Sequence, residues 1–548
     1  MVKRFKLFDS DSLKLLHRRV FFSITIFTFV YLISVYRISS IILFPELIEE
    51  KKTLYEHKLR GDIYDRNGNI LATSIKSRSI SLNPTKIKDK KTLSIKLASI
   101  LNLDPKKLEK KISSKNKFVW IKRNITPKEY QEIINLGEIN IKSHNEFKRI
   151  YPYKNVSSHV VGHVNIDQKG QAGIERYFEN ELSNSKEISI SLDIYLQQIV
   201  RERLNEAIKF YRADSGLAVV MEIETGQILS SVSLPDYNPQ KNLSFNENNL
   251  INRVFQSNFE MGSTFKPITA TMGFDLGIIK PSMTFDVTKK YLNIGDYHNF
   301  KGNGIYDVEK IIVESSNIGT AKIATLIGKE NQKKFFKKIG FNDRINFENK
   351  ESAMPLGNKN NWGKLETATI GFGHGFSITP LHLVKAYATL SNGGMEVFPT
   401  LRVNKKIINK SILQNKKSSE FFLNLLNSVV IKTEYTGPRV KVKGYQVGGK
   451  TGTSDLVNPK GGYYKNRNLT SFIGVFPIKK PKYIIYTAIE YPKKEENTNQ
   501  KMTGGRVNAP LVKNIIIDII NLFNIPKSNN ELLKADMIFI YRELNALI

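Results

Sequence analysis

The sequence contains no cysteine in its 548 residues. A disulfide framework and a thiolate metal site are therefore excluded, and so is an anchor built on a lipid-modified cysteine. No internal repeat is evident. The length and the 41% content of hydrophobic residues predict two or three folded domains.

Basic residues are in large excess, with a formal net charge of +32, yet they form no single stripe. Lysines occur throughout the chain in runs such as KIKDKK and NKKSSE. Aromatic residues are not interleaved with them in a recognisable RNA-binding motif. A general compositional bias explains the charge, and we expect no nucleic-acid partner.

Histidine and glycine patterns give no cofactor site. His159 and His163 are four residues apart and could share a helical face, but no third ligand follows at zincin spacing. The GFGHG run around His374 lacks the spacing of a dinucleotide loop. We therefore expect neither a metal nor a cofactor, and we expect His374 to lie in a glycine-rich turn beside a cleft rather than to act as a base.

One long apolar run, Val20–Phe44, follows a basic N-terminus and is interrupted only by Arg37. It is long enough to cross a bilayer if Arg37 extends to the far interface. Basic residues before the run predict a cytoplasmic N-terminus and a periplasmic remainder. The run is thus interpreted as an uncleaved, single-pass anchor in the inner membrane, with a buried core helix as the alternative.

The stretch EMGSTFKPIT puts Ser263 and Lys266 three positions apart, followed by Pro267. Because proline is tolerated only in the first turn of a helix, a helix should begin near Ser263. Residues three apart share a helical face, so the lysine amine should lie near the serine hydroxyl. This arrangement suits an activated nucleophile, although a capping serine beside a solvated lysine would give the same pattern.

Two later motifs favour the interpretation of Ser263 and Lys266 as a catalytic pair over that of a capping serine beside a solvated lysine. ESSNIG puts Ser315 and Asn317 on a predicted turn between helices, and VGGKTGTSD puts Lys450 on a predicted strand. S-x-x-K, S-x-N and K-T-G in this order and context are the signature of penicilloyl-serine transferases.

Further motifs extend the resemblance. RGDIYDRNGNILA (residues 60–72), RIYP (149–152) and GQAGIE (170–175) resemble the non-catalytic pedestal of class B penicillin-binding proteins. LPDYNPQ and TGGRVNAP are most similar to the division-specific, septal D,D-transpeptidases of the penicillin-binding protein 3 type. Thr436-Gly437-Pro438 departs from the Gly-Thr-Gly that the family often has before its third motif.

The resemblance implies cross-linking of peptidoglycan stem peptides through an acyl-enzyme on Ser263, with covalent inhibition by β-lactams. Lys266 would be the base, which requires about 4–5 kcal/mol of bias against its charged form near pH 7. Burial and the second cation, Lys450, would supply it. Ser315 would relay a proton to the leaving amine, and Asn317 would hold Lys266 or the substrate amide.

Substrate binding is expected along the third motif. The resemblance implies contacts to substrate from a group of small polar residues and a glycine: Ser316, Thr451, Gly452 and Thr453. The N–H groups of Ser263 and Thr453 would form the oxyanion hole. The glycines leave room for the stem peptide to add to the strand edge.

The predicted fold is α+β: a transmembrane helix, an elongated mixed pedestal, and a β-lactamase-like domain with an antiparallel sheet covered by helices. The predicted segments are a cytoplasmic tail (1–19), the anchor (20–44), the pedestal (45–183), the transpeptidase domain (184–527) and a C-terminal tail (528–548). The tail has helical periodicity and no assigned role. Local patterns also predict a helical stalk over 46–58, a hairpin at Asn67-Gly68, strands over 188–192, 445–454, 469–476 and 483–490, and a closing helix over about 509–522.

Expected partners are the membrane, lipid-linked or nascent peptidoglycan, a separate membrane glycan polymerase and other division proteins. Three alternatives remain open. The chain could be an elongation-specific transpeptidase, a hydrolase such as a β-lactamase or D,D-carboxypeptidase, or a sensor or scaffold that β-lactams acylate.

Overall fold

The computed structural model describes eight segments of the chain. They are residues 10–43, 59–241, 247–296, 302–357, 362–403, 410–458, 461–493 and 502–527. The chain divides into two units, Met1–Lys58 and Leu59–Ile548. A helical stalk predicted over 46–58 and the helical periodicity of 528–548 lie outside the described residues.

The first unit contains a single described element, helix α1 (Ser10–Leu43). Within it, Lys14–Ser39 is long and apolar enough to cross a membrane. The helix begins ten residues before the apolar run, because the preceding basic segment continues the same helical turns. Large apolar side chains are exposed along its length, which is the surface that a lipid environment would cover.

The second unit begins with the pedestal and its mixed sheet. The strands are β1 (Ile63–Tyr64), β2 (Ile70–Leu82), β3 (Val119–Ile125), β4 (Ile141–Ile150) and β5 (Ile188–Ser189). They lie in the order β3-β2-β1-β5, and β4 also pairs with β2 over Thr73–Leu82. The helices are α2 (Lys90–Leu101), α3 (Pro105–Ile112), α4 (Pro127–Ile134), α5 (Ser158–Val161), α6 (Gly173–Tyr177) and α7 (Glu179–Ser183). The hairpin predicted at Asn67-Gly68 is present, with Tyr64 opposite Ile70.

The three pedestal motifs meet at one buried carboxylate. Glu175 accepts from Arg60 Nε at 2.7 Å, from Arg149 Nε at 2.7 Å and from the Tyr151 hydroxyl at 3.3 Å. Arg60 also donates to Glu179 at 2.9 Å. Because Glu175 and both guanidinium groups are almost completely buried, each ion depends on the others for compensation of its lost hydration.

The remainder of the unit is built on a five-stranded antiparallel sheet. Its strands are β6 (Ser215–Glu222), β7 (Ile228–Leu234), β13 (Gly448–Val457), β14 (Tyr463–Phe476) and β15 (Tyr483–Glu490). They lie in the order β13-β14-β15-β6-β7. Five short strands lie outside it: β8 (Phe259–Glu260), β9 (Thr284–Asp286), β10 (Ile305–Asp307), β11 (Leu356–Gly357) and β12 (Phe376–Ile378).

Helices cover both faces of this sheet. They are α8 (Ile194–Phe210), α9 (Glu247–Leu250), α10 (Lys266–Asp275), α11 (Val308–Val313), α12 (Asn317–Ile327), α13 (Lys329–Ile339), α14 (Lys364–Gly371), α15 (Pro380–Ser391), α16 (Lys417–Lys432), α17 (Gly437–Val440) and α18 (Gly504–Phe523). Alternate residues of β6 enter different cores: Leu217 and Val219 join the larger core, whereas Ala218 and Val220 pack with α8 and α18. The result is three layers, as an α+β fold requires.

Several predicted boundaries were wrong. The strand expected from Tyr445 begins at Gly448, because Gly444 has φ +84° and turns the chain so that Val442 bridges Tyr445. β14 begins at Tyr463 rather than Leu469, since its first residues form an exposed hairpin arm without apolar alternation. The strand expected over 188–192 ends at Ser189, and α18 begins at Gly504, five residues before the predicted start.

Candidate active site

Ser263 lies at the start of a helical run, where the sequence predicts it. A 3₁₀ turn (Gly262–Phe265) leads directly into α10, and Pro267 falls in the first turn of that helix. The capping positions of the turn and the helix are Met261 and Phe265, so Ser263 caps neither. Its side chain is half-buried and has no hydrogen bond to any other residue in the described parts of the chain. A capping serine is therefore not the explanation of the motif.

The turn that carries Ser263 is pressed against β13. Gly262 has φ +54°, and a Cβ at this position would lie 2.8 Å from the Thr453 carbonyl oxygen. A Cβ on Gly452 would lie 3.0 Å from the Thr264 methyl carbon. Two glycines therefore permit the close approach that puts the Ser263 turn beside the strand of the third motif.

Lys266 is completely buried and surrounded by acceptors. Its Nζ donates to Asn317 Oδ1 at 2.7 Å, to the Ser315 carbonyl and to the Ser315 hydroxyl at 3.2 Å. The Asn317 amide nitrogen donates to the Gly295 carbonyl at 3.3 Å, which fixes the orientation of the amide and turns its oxygen toward Lys266. The second motif thus supplies the hydrogen-bond acceptors for the lysine of the first.

Lys450 reaches the same hydroxyl from the strand. Its side chain is 1% exposed, and its Nζ lies 3.1 Å from Ser315 Oγ and 3.3 Å from Thr451 Oγ1. Ser315 has φ +56°, an unusual conformation for a residue other than glycine. This backbone directs both its hydroxyl and its carbonyl oxygen toward the lysines.

Burial lowers the pKa of both lysines. For Lys266, burial lowers the pKa well below its ordinary value, the neighbouring Lys450 lowers it further, and Asp296 partly offsets the shift. Burial lowers the pKa of Lys450 to about 7. Because the amines share an acceptor, their protons are coupled. A neutral Lys266 amine is therefore compatible with neutral pH.

Asp296 is a site residue that no sequence motif indicated. Its carboxylate accepts from the Ser316 hydroxyl at 2.7 Å, from the Asn317 N–H at 2.5 Å and from the Ile318 N–H at 3.0 Å. These groups lie at the N-terminus of α12, where an anion stabilises unpaired N–H groups. Asp296 lies in a loop and precedes Ser316 by 20 residues, so only the fold brings it there.

Ser316 itself is a buried N-capping residue. Its hydroxyl donates to Asp296 and accepts from the Gly319 N–H at 3.0 Å. These bonds hold the turn that carries Ser315 and Asn317, which differs from the contact to substrate that the sequence suggested. We assign Ser316 to positioning.

β13 is an edge strand of the main sheet. Within the described residues it pairs with β14 alone, so its other edge has unpaired backbone groups. Thr453 Oγ1 accepts from the Gly504 N–H at 3.4 Å, and a Cβ on Gly504 would lie 2.6 Å from the Gly452 carbonyl oxygen. The TGGR motif therefore packs directly against the K-T-G strand.

His159 and His163 both pack edge-on against Tyr237, with ring centroids 5.4 Å apart, and each makes a hydrogen bond of its own. His159 Nε2 lies 2.8 Å from the Asn249 carbonyl, and His163 Nδ1 lies 3.1 Å from the Tyr237 hydroxyl. His374 follows Gly373, whose carbonyl accepts from the Gly262 N–H at 3.1 Å. Burial lowers the pKa of His374. Among the residues that the structure describes, no group of three or more acidic, histidine or cysteine side chains is placed to hold a metal ion.

Comparisons with known proteins agree with this geometry. The chain matches the family model described as "Penicillin binding protein transpeptidase domain" over residues 216–517 and that described as "Penicillin-binding Protein dimerisation domain" over 56–204. The matched ranges contain all three catalytic motifs and all three pedestal motifs, respectively.

The similarity to curated relatives extends over most of the chain. "Probable peptidoglycan D,D-transpeptidase PenA" of Neisseria gonorrhoeae is 31% identical over 509 residues, covering 85% of both proteins. "Probable peptidoglycan D,D-transpeptidase FtsI" of Caulobacter vibrioides is 30% identical over 477 residues, covering 83% of this chain and 80% of the relative. "Peptidoglycan D,D-transpeptidase FtsI" of Escherichia coli K12 is 26% identical over 510 residues, covering 85% of this chain and 84% of the relative.

A solved structure shares the fold. A peptidoglycan synthetase from Bifidobacterium adolescentis superimposes with a TM-score of 0.67 at 20% identity, covering 86% of this chain and 96% of that one. Together with the family models, these similarities show that the chain belongs to the penicillin-binding protein transpeptidase family, with the dimerisation domain of these proteins preceding its transpeptidase domain.

Proposed function

We propose that this chain is a peptidoglycan D,D-transpeptidase that cross-links stem peptides at the division septum, with Ser263 as its nucleophile. One observation carries the assignment of the site: the buried amines of Lys266 and Lys450 converge on the Ser315 hydroxyl, beside the turn that carries Ser263. The names of the curated relatives support the reaction and its division-specific role.

Acylation begins with a neutral Lys266. The Ser315 carbonyl and Asn317 Oδ1 can only accept, so they occupy the two N–H bonds of the neutral amine and leave its lone pair for the hydroxyls of Ser315 and Ser263. The lone pair takes the proton from Ser263 as Oγ attacks the carbonyl of the penultimate D-alanine. The C–O bond of the acyl-enzyme forms and the C–N bond to the terminal D-alanine breaks.

The leaving amine needs a proton, and the Ser315 hydroxyl supplies a route to it. Ser315 lies within 3.2 Å of Lys266 Nζ and 3.1 Å of Lys450 Nζ, so the proton taken from Ser263 can pass through Ser315 to the departing nitrogen. An amine of a neighbouring stem peptide then attacks the acyl-enzyme and regenerates Ser263.

The exposed edge of β13 suits an extended stem peptide, which would add as a further strand. Thr451 and Thr453 hydroxyls, with Lys450, would hold the terminal carboxylate, and Gly452 would leave room for the peptide backbone. The backbone N–H groups of Ser263 and Thr453 would form the oxyanion hole, where one donor is typically worth about 3–4 kcal/mol.

We also propose the finer features that the sequence suggests. Helix α1 would anchor the chain in the inner membrane with residues 1–19 in the cytoplasm and the rest in the periplasm. Residues 45–183 would form the pedestal and 184–527 the catalytic domain. A separate membrane glycan polymerase and other division proteins would be its partners.

The lifetime of the acyl-enzyme tests the reaction class. A transpeptidase labelled with fluorescent penicillin should keep the label for many minutes, because its acyl-enzyme is resolved by an acceptor amine rather than by hydrolysis. Loss within seconds would favour a hydrolase. Cells whose only copy is Ser263→Ala should fail to divide, whereas Ser282→Ala, at an exposed serine, should not affect division. Normal division of the Ser263→Ala cells would favour a scaffold.

A further inference from the structure

A groove on the catalytic part of the chain has no role in the chemistry described above. It encloses about 530 Å³ between the end of α16, the segment before β13 and the outer face of α18. Its apolar lining consists of Val430, Ile431, Val442, Tyr445, Val447 and Ile517. Ile431 is 54% exposed, which is high for an isoleucine beside other apolar groups. The proposed catalytic side chains do not line it.

The charged residues of the groove are all basic. Lys441, Lys443 and Lys513 line it, and no acidic side chain is among the lining residues. An apolar floor with a rim of lysines fits an amphipathic segment whose apolar face is flanked by carboxylates.

The described chain ends at the wall of this groove. After α18, the Ile525 carbonyl accepts from the Tyr445 hydroxyl at 2.7 Å. Two residues later, the Lys527 side chain passes Gly444 so closely that a Cβ there would lie 3.2 Å from it. The last described residues therefore lie beside the segment that forms one side of the groove, and residues 528–548 follow them in the sequence.

The sequence of those 21 residues has the complementary pattern. Spacings of four and three bring a set of apolar residues onto one face of a helix: Leu533, Met537, Ile540, Leu544 and Leu547. Asp536 and Glu543, seven residues apart, would flank one edge of this face. Arg542 would lie on the opposite face, whereas Leu532, Ile538 and Phe539 fall outside the apolar face and Lys534 lies beyond its other edge.

We propose that residues 528–548 dock as an amphipathic helix in this groove of their own chain, with Asp536 and Glu543 toward its lysines. The groove wall runs through Val447 directly into Gly448, the first residue of β13, so the docked tail would brace the start of the strand that carries Lys450. The inference is independent of the proposed reaction.

The absence of native cysteine makes a clean cross-linking test possible. In the full-length protein, Ile431→Cys paired with Ile540→Cys should cross-link with a short bismaleimide within one chain. Ile431→Cys with Arg542→Cys, on the far face of the tail, should cross-link at least about 10-fold more slowly. Leu365→Cys with Ile540→Cys, where Leu365 lies on α14 away from the groove, should not cross-link.

A second measurement covers the case in which the cysteine pair disturbs docking. Single Ile431→Cys should react with a water-soluble maleimide about 10-fold or more slowly in the full chain than after deletion of residues 528–548. Labelling with fluorescent penicillin confirms that both proteins are folded. Equal maleimide rates overturn the proposal, and cross-links found only between two chains assign the groove to a second copy instead.

Discussion

Lys266 and Lys450, 184 residues apart in sequence, donate to one oxygen, the hydroxyl of Ser315, at 3.2 Å and 3.1 Å. Three motifs from three separate elements are thereby joined at a single atom. Both amines lie in the low-dielectric interior, which disfavours their protonation, and a protonated Lys450 further disfavours protonation of Lys266. Burial of the charged amines costs stability, and the lowered pKa values leave an amine neutral and able to accept a proton near neutral pH.

Lys450 should reduce stability in a pH-dependent way. Burial lowers its folded-state pKa to about 7 from an ordinary 10.5, so between these values the unfolded chain binds more protons than the folded chain. Stability should therefore rise with pH across this window. Relative to Lys450→Met, the wild-type free energy of unfolding should increase by about 1 kcal/mol per pH unit between pH 7 and 10. Denaturant titrations of both proteins measure it, and a constant difference would mean that Lys450 is not buried as an amine.

Asp296→Asn should slow acylation by penicillin about 10- to 100-fold, because charge-assisted bonds to the Asn317 and Ile318 N–H groups weaken. Its pH profile should also move. The carboxylate raises the pKa of Lys266, so its removal lowers that pKa and shifts the rising limb of the acylation rate to lower pH. Asp286→Asn, at an exposed aspartate, is the control. A slower rate with an unmoved profile would restrict Asp296 to a structural role.

Gly262→Ala should slow acylation about 100-fold, since the added methyl would lie 2.8 Å from the Thr453 carbonyl and displace the Ser263 turn from β13. Gly277→Ala is the matched control. Gly277 has a similar φ of +69° but no atom within 4 Å of the added carbon. Its substitution therefore introduces only the backbone strain of an alanine at positive φ, without a steric clash. Stopped-flow acylation of both variants separates the two effects, and equal rates would contradict the close contact.

Glu175→Gln should destabilise the pedestal by about 3–5 kcal/mol, because it leaves the buried guanidinium of Arg149 without a carboxylate and leaves that of Arg60 with Glu179 alone. Glu179→Gln removes a partner of Arg60 that is 29% exposed and should cost far less. Limited proteolysis and chemical denaturation report the difference. Similar stability of the two variants would show that the three pedestal motifs do not depend on one central ion.

The sequence was sufficient to predict the elements that carry the chemistry. The helix after Ser263, the turn at Ser315 and the strand at Lys450 follow from local signals: a proline in a first turn, a break between helical patterns, and a glycine-rich extended run. The resemblance also assigned the motifs that contain Arg60, Arg149 and Glu175 to one domain. It did not show that both arginines bind the carboxylate of Glu175.

Other features depend on tertiary contacts and have no local signal. Asp296 reaches the second motif only because its loop folds over the start of α12. The first turn of α18 contains Gly504 and Gly505, which favour a loop in isolation, yet packing of Gly504 against the Ser471 and Gly452 carbonyls selects the helix. The turn at Gly444 makes the strand shorter than predicted. The sequence did not show this turn, because an isolated glycine does not reveal that its φ is positive.

The identity of the acylated residue tests the proposed mechanism most directly. The full-length protein should be labelled with fluorescent penicillin, digested, and the modified peptide mapped by mass spectrometry. We predict one label per chain, on Ser263, with loss of labelling in Ser263→Ala and strong slowing in Lys266→Met. A label on any other residue, or undiminished labelling of Ser263→Ala, would contradict the assignment of Ser263 as the nucleophile.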